Sequence, residues 1–174
     1  ARLPDWPRFE ERFGLTGCSA AAYPMYRGLS QLLGMTVLPC EEALASKLSA
    51  IRHHWKDFNF FFLHVKGADS AGEDGDFERK VKVIEDVDRA IPALLKLGPE
   101  VLLVTGDHST PAVLKSHSWH PVPVLLWSRC CRSDLVNKFG ERACLSGALG
   151  PRLPATELMP LALANAARLK KFGA

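Results

Sequence analysis

The 174-residue chain contains no uninterrupted apolar run of the 18 or so residues that a membrane-spanning helix requires. It has no charged start followed by an apolar signal core. These two absences predict a cytoplasmic protein with no membrane partner. No cluster of Lys and Arg forms a basic arm, and the net charge of +3 is small and dispersed, so nucleic acid is not an expected partner. The phosphate-cradling G-x-x-x-x-G-K-[ST] loop is absent, and so is the G-x-S-x-G turn of an α/β-hydrolase. The five cysteines form no C-x-x-C pair, and Cys130 and Cys131 are adjacent. That spacing does not suit a zinc site and reads as ordinary thiols in a reducing compartment. The chain opens Ala1-Arg2-Leu3 without Met, which suggests a processed or cut piece.

What is present is the composition of a globular protein, 47% hydrophobic and 24% charged, with no repeat or linker. One α/β domain over 1–174 is the expectation. Arg8 to Phe13 reads as a short helix stopped by Gly14, Leu15 to Ala22 as a short buried strand, and Tyr26 to Leu33 as a helix closed by Gly34. Met35 to Leu38 reads as a strand ended by Pro39, and Glu41 to His54 as a helix with Leu44, Leu48 and Ile51 on one face. His53 and His54 resemble a metal pair, but on a polar helix end they read as solvated side chains.

Phe58 to Val65 is continuously apolar, the pattern of a central strand covered on both faces. Lys66 to Asp76 follows, expected as a loop with three glycines and four carboxylates. Phe77 to Leu97 carries apolar residues at helical spacing, with Pro92 near its end. Val101 to Val104 reads as the next strand, leading into Thr105-Gly106-Asp107-His108-Ser109-Thr110-Pro111. Strand, loop, helix, strand, loop predicts a right-handed βαβ unit whose two ligand-rich loops open on the same edge of a parallel sheet. Val122 to Trp127 adds a strand, and Thr156 to Lys171 a final helix.

Asp69 with the acidic residues after it, Asp107, His108 and His117 are then the candidate ligands. Carboxylate oxygens and imidazole nitrogens suit Mn²⁺, Mg²⁺ or Zn²⁺, and a metal there would neutralise a phosphoryl group. Each residue also has an ordinary alternative: solvated acids after a strand, a turn-capping Asp107, a surface His117. An EF-hand is excluded, because counting from Asp69 puts Asp74 at the sixth position and Lys80 at the twelfth, where glycine and Glu are required.

Three stretches, His64 to Phe77, Thr105 to Pro111 and Lys115 to Pro123, resemble the archaeal-type, cofactor-independent (2,3-bisphosphoglycerate-independent) phosphoglycerate mutases of the alkaline phosphatase superfamily. Phe9 to Leu15, Gly28 to Met35, Leu158 to Leu161 and Leu169 to Ala174 add weaker similarity. The resemblance covers most of the chain but only the C-terminal portion of a family member. It implies an alkaline-phosphatase-like α/β fold, a mostly parallel sheet sandwiched by helices. It further implies a two-metal site that interconverts 3- and 2-phosphoglycerate through a nucleophilic Ser. Asp69, Glu73 and His117 would hold one metal. Asp107 and His108 would hold the other, together with an Asp and the Ser from the family's N-terminal part. No serine in this sequence stands in that nucleophile's context, so no catalytic residue is nominated. Glu73 stands where the family has His, which favours Mn or Mg over Zn. The expected partner is phosphoglycerate or another small phosphate ester, with a homo-oligomer covering exposed strand edges. Two rival readings are a metal-dependent phosphohydrolase using metal-bound water, and a truncated non-catalytic module that oligomerises.

Overall fold

The computed structural model describes residues 5–169. The chain groups into two compact units, one of Ala1–Ser70 with Val81–Ala90 and one of Ala71–Lys80 with Ile91–Ala174.

In the first unit α1 (Phe9–Phe13) begins where the Glu11 carboxylate accepts the Arg8 backbone N–H at 3.0 Å. It ends at Gly14, whose φ of +64° suits glycine and whose N–H reaches the Glu10 carbonyl at 2.8 Å. The next residues form a parallel three-stranded sheet. β1 (Gly17–Ala20) lies at its centre, flanked by β2 (Thr36–Val37) and β3 (Phe60–Leu63). Small side chains let the centre close up: a Cβ on Gly17 would stand 3.0 Å from the Phe9 ring. Cys18, Ser19 and Ala20 are fully buried, and burial, followed by the Asp57 carboxylate, pushes the Cys18 thiol up to about 12. Two helices cover the sheet, α2 (Pro24–Leu32) and α3 (Leu44–His53). The latter buries Ile51 and the stem of Lys47, whose ammonium lies 2.8 Å from Glu42. The His pair at its end is polar as read from the sequence: His53 is exposed and His54 Nδ1 meets Asp57 at 2.8 Å.

The structure departs from the sequence reading of β3. The continuous Phe run sits at the edge of the sheet and is only half-buried, while the weaker-looking, Ala-containing β1 is central. A parallel central strand can be made of small residues when large ones from its neighbours fill the faces, as Phe9 stacks on Phe60 at 4.6 Å. The expected loop 66–76 is mostly helix: α4 spans Gly67–Asp74. α5 (Phe77–Leu95) starts where the Asp76 carboxylate accepts the Arg79 N–H at 2.9 Å, and it accommodates Pro92 near its end.

In the second unit β4 (Val101–Thr105) pairs with β5 (Val124–Ser128) antiparallel, Val101 opposite Ser128 and Thr105 opposite Val124. The sequence reading places β4 in a parallel βαβ unit; the ladder it makes is with the strand after it, and that ladder is antiparallel. Beyond β5, the Ser128 hydroxyl accepts the N–H groups of Cys130 (3.1 Å) and Cys131 (2.9 Å) and donates to Asn165 Oδ1 at 3.0 Å. The irregular segment around α6 (Glu141–Cys144) is tied by Asp134, which accepts the N–H groups of Ala148 (2.8 Å) and Val136 (2.9 Å). Those two donors hold its carboxyl below the usual carboxylate range. A 3-10 turn, Ala155–Glu157, leads into α7 (Leu158–Asn165). The helix stops well before the expected end: Ala166 caps it and Ala167 has φ +54°. Lys170 and Lys171 lie outside the described residues. Among the described residues no helix is long and apolar enough to cross a membrane.

Candidate metal centre

Ala68 and Ala71 favour helix in α4, and of its two glycines Gly72 is needed for space rather than for a turn. The turn itself falls at Gly75, with φ +75° and its N–H on the Gly72 carbonyl at 3.1 Å. Helical geometry puts Asp69 and Glu73, four residues apart, on one face. Asp69 is the more buried, 16% exposed, with the Lys66 ammonium against its carboxylate. Glu73 is 46% exposed, and its Oε1 lies 3.5 Å from His117 Nε2.

The other candidate residues come from the two segments that leave β4 and enter β5. Asp107 uses one oxygen to accept the His108 backbone N–H at 3.0 Å and turns the other toward His108 Nε2 at 3.6 Å. The turn-capping alternative is thus true of one oxygen, while the second faces the imidazole. An isolated antiparallel bridge pairs Ser109 with Ser118, the Ser118 N–H donating to Ser109 at 2.9 Å. That bridge draws the two histidine rings together, with centroids 3.9 Å apart and planes at 37°. His108 Nδ1 is 3.1 Å from the Thr110 hydroxyl.

Of the candidate residues, the structure brings Glu73 to His117, Asp107 to His108, and the two histidines to each other. The donor set fits a divalent cation. Two donors about 2.1 Å from one ion and roughly 110° apart stand about 3.4 Å from each other, which is close to the 3.5 and 3.6 Å separations found. Two neighbours escaped the sequence reading. Thr110 lies two residues from His108 in the same turn, a position that could have been suspected as support for a ligand imidazole. Lys80, whose Nζ donates to the Thr110 carbonyl at 2.7 Å, is 30 residues away and gave no local signal.

Comparison with known proteins identifies the family. The model of the metalloenzyme superfamily matches residues 1–165, a span that covers the first unit and most of the second. The chain belongs to the metalloenzyme superfamily. Within it, the whole chain is 51% identical to "Probable 2,3-bisphosphoglycerate-independent phosphoglycerate mutase" of Thermotoga neapolitana and 50% identical to the protein of that name from Thermus thermophilus. It spans 43% of the length of each. Among solved structures, 99% of the chain superposes on 55% of a Pyrococcus horikoshii protein with a TM-score of 0.89 and 32% identity. The cofactor-independent phosphoglycerate mutase of Thermoplasma acidophilum matches 95% of the chain, at 40% of its own length, with a TM-score of 0.75 and 27% identity. The mostly parallel α/β class expected from the sequence is therefore the class of the fold, with the antiparallel β4–β5 pair as an addition.

Proposed function

We propose that this chain supplies the ligands Asp69, Glu73, Asp107, His108 and His117 to a divalent-metal centre for phosphoryl transfer between the hydroxyls of phosphoglycerate. The two units are then parts of one α/β domain of that enzyme. The observation that carries the proposal is the close approach of Glu73 to His117 and of Asp107 to His108, joined by the 3.9 Å histidine pair. The relatives' names supply the substrate class, and 43% coverage of their length makes that assignment a proposal rather than an observation.

Each residue has a task it can perform from where it stands. Glu73 and His117 offer one oxygen and one nitrogen from different segments, so both must stay in register for the pair to act. Asp107 spends one oxygen fixing its own turn, which aims the other. Asp69, one helical turn before Glu73, adds a second carboxylate to the same helix face. A bound divalent metal supplies charge to the phosphoryl oxygens and favours the ionised form of a hydroxyl nucleophile. The extra carboxylate at Glu73 favours Mn²⁺ or Mg²⁺ over Zn²⁺.

Calorimetric titration of the purified chain with Mn²⁺ tests the reading. Saturable binding is expected, weakened about tenfold or more by Asp107→Asn or His117→Ala. Glu73→His should shift preference toward Zn²⁺. The chain alone is expected not to turn over 3-phosphoglycerate, since none of its serines is a candidate nucleophile. Absence of saturable binding by any divalent metal would refute the centre, and mutase turnover by the chain would refute the account of the nucleophile.

A further inference from the structure

His108 holds its place through a residue the ligand set does not include. Thr110 is 4% exposed, and both of its polar ends are engaged. Its hydroxyl lies 3.1 Å from His108 Nδ1. Its carbonyl oxygen accepts the Lys80 ammonium at 2.7 Å. The same carbonyl presses on α4 where only glycine leaves room: a Cβ on Gly72 would stand 2.2 Å from the Thr110 oxygen, and 3.0 Å from both Thr110 Cγ2 and Lys80 Nζ. Backbone and methyl of Thr110 are thus confined together. A β-branched side chain is restricted at χ1, so these contacts limit where its hydroxyl can point.

An imidazole has two nitrogens, and the hydrogen bond made by one decides whether the other can bind a metal. We infer that Gly72, Lys80 and Thr110 form a positioning clamp that selects the His108 tautomer. Nδ1–H donates to the Thr110 hydroxyl, and the Nε2 lone pair is presented beside Asp107 to a divalent cation. The inference rests on the metal reading above and assigns work to three residues outside the ligand set. Gly72 supplies clearance, Lys80 anchors the carbonyl, and the Thr110 hydroxyl accepts the hydrogen bond. None of them touches the cation.

Long-range ¹H–¹⁵N spectra of the histidine rings in the metal-free chain, above the pH at which they become neutral, read the tautomer directly. His108 is expected in the Nδ1–H form. Thr110→Val should move it toward Nε2–H and lower Mn²⁺ affinity about tenfold, while Thr110→Ser restores both. Gly72→Ala, which displaces the carbonyl rather than the hydroxyl, should reproduce the Thr110→Val spectrum, and Lys80→Met should do so partially. An unchanged tautomer in Thr110→Val, or affinity within twofold of the parent despite a changed tautomer, overturns the clamp. If the parent chain binds no Mn²⁺, the metal reading falls instead. The tautomer of the metal-free parent and its Thr110→Val variant then still decides whether the clamp operates.

Discussion

In the first unit the central strand buries three of its four residues, and Phe9, Leu15, Met35, Leu38 and Ile51 close over it. In the second, neither β4 nor β5 buries a large apolar side chain, and β5 turns Leu125 and Trp127 outward at 37% exposure each. The second unit's buried polar residues are Thr110 and Ser128, and both are hubs of hydrogen bonds. The first unit therefore has the more sealed apolar core, while in the second the buried polar side chains among the described residues are both hydrogen-bond hubs. The difference has a chemical reason. On the proposed metal reading, candidate ligands such as His117, 55% exposed, and Asp107, 54% exposed, keep lone pairs open to a cation, which sealing in a core would prevent. Their positions are instead set by short hydrogen bonds from neighbouring turns, which hold geometry without enclosing the ligand atoms.

The contrast breaks most visibly under truncation. Ile51→Ala should cost about 2–5 kcal/mol in urea unfolding, the range for deleting a buried aliphatic side chain. Leu125→Ala, on the exposed face of β5, should cost well under half as much. Equal losses would show that the second unit has a core of the same kind as the first.

Thiol chemistry sharpens the same contrast less drastically. Cys130 is exposed while Cys18 is buried, its thiol raised to about 12 by burial and then by Asp57. Iodoacetamide at mildly alkaline pH should alkylate Cys130 readily and reach Cys18 only on unfolding. The sign for stability follows from the raised folded value. The thiol's contribution is complete below its unfolded value near 9, and falls as pH rises from about 9 to about 12. Unfolding followed across that window should show a shallower loss for Cys18→Ala than for the parent. Equal labelling of the two thiols in the native chain would contradict the burial argument.

The smallest effect belongs to Asp134, fully exposed yet depressed by the N–H groups of Ala148 and then Val136. A depressed carboxyl contributes above its unfolded value, near 3.9, and loses that contribution as pH falls through the folded one. Asp134→Asn should therefore speed hydrogen exchange at the Ala148 amide near neutral pH, with the difference vanishing in acid. An unchanged exchange rate would mean that the loop 134–148 is held by other contacts.

Much of the scaffold was legible locally. The helix stopped by Gly14, the helix ahead of Gly34, the start of α5 at Phe77 and the strand opening at Val101 follow from spacing, glycine placement and apolar runs. The candidate residues were also legible, because Asp107-His108 after an apolar strand is an unusual place to spend two polar side chains. α4 was not. Three glycines and four carboxylates in 66–76 look like a loop, and only the Thr110 carbonyl pressed against Gly72 explains why a helix carries a glycine there. The edge position of the Phe-rich β3 and the antiparallel partner of β4 were equally hidden, since a strand's own residues do not name its neighbour.

Sequence alone determined which side chains are available: two histidines, their carboxylate partners, a likeness spanning most of the chain, and most element boundaries to within a few residues. These are properties of local periodicity and residue chemistry, which need no knowledge of distant contacts. Tertiary structure decided which side chains meet. It set Glu73 beside His117, stacked His117 on His108, and locked Thr110 between Gly72 and Lys80. Those encounters join residues 30 to 44 positions apart, apart from the histidine pair formed by the Ser109–Ser118 bridge. At such separations they depend on how helices and strands close on one another, a global free-energy balance that no short window of sequence contains.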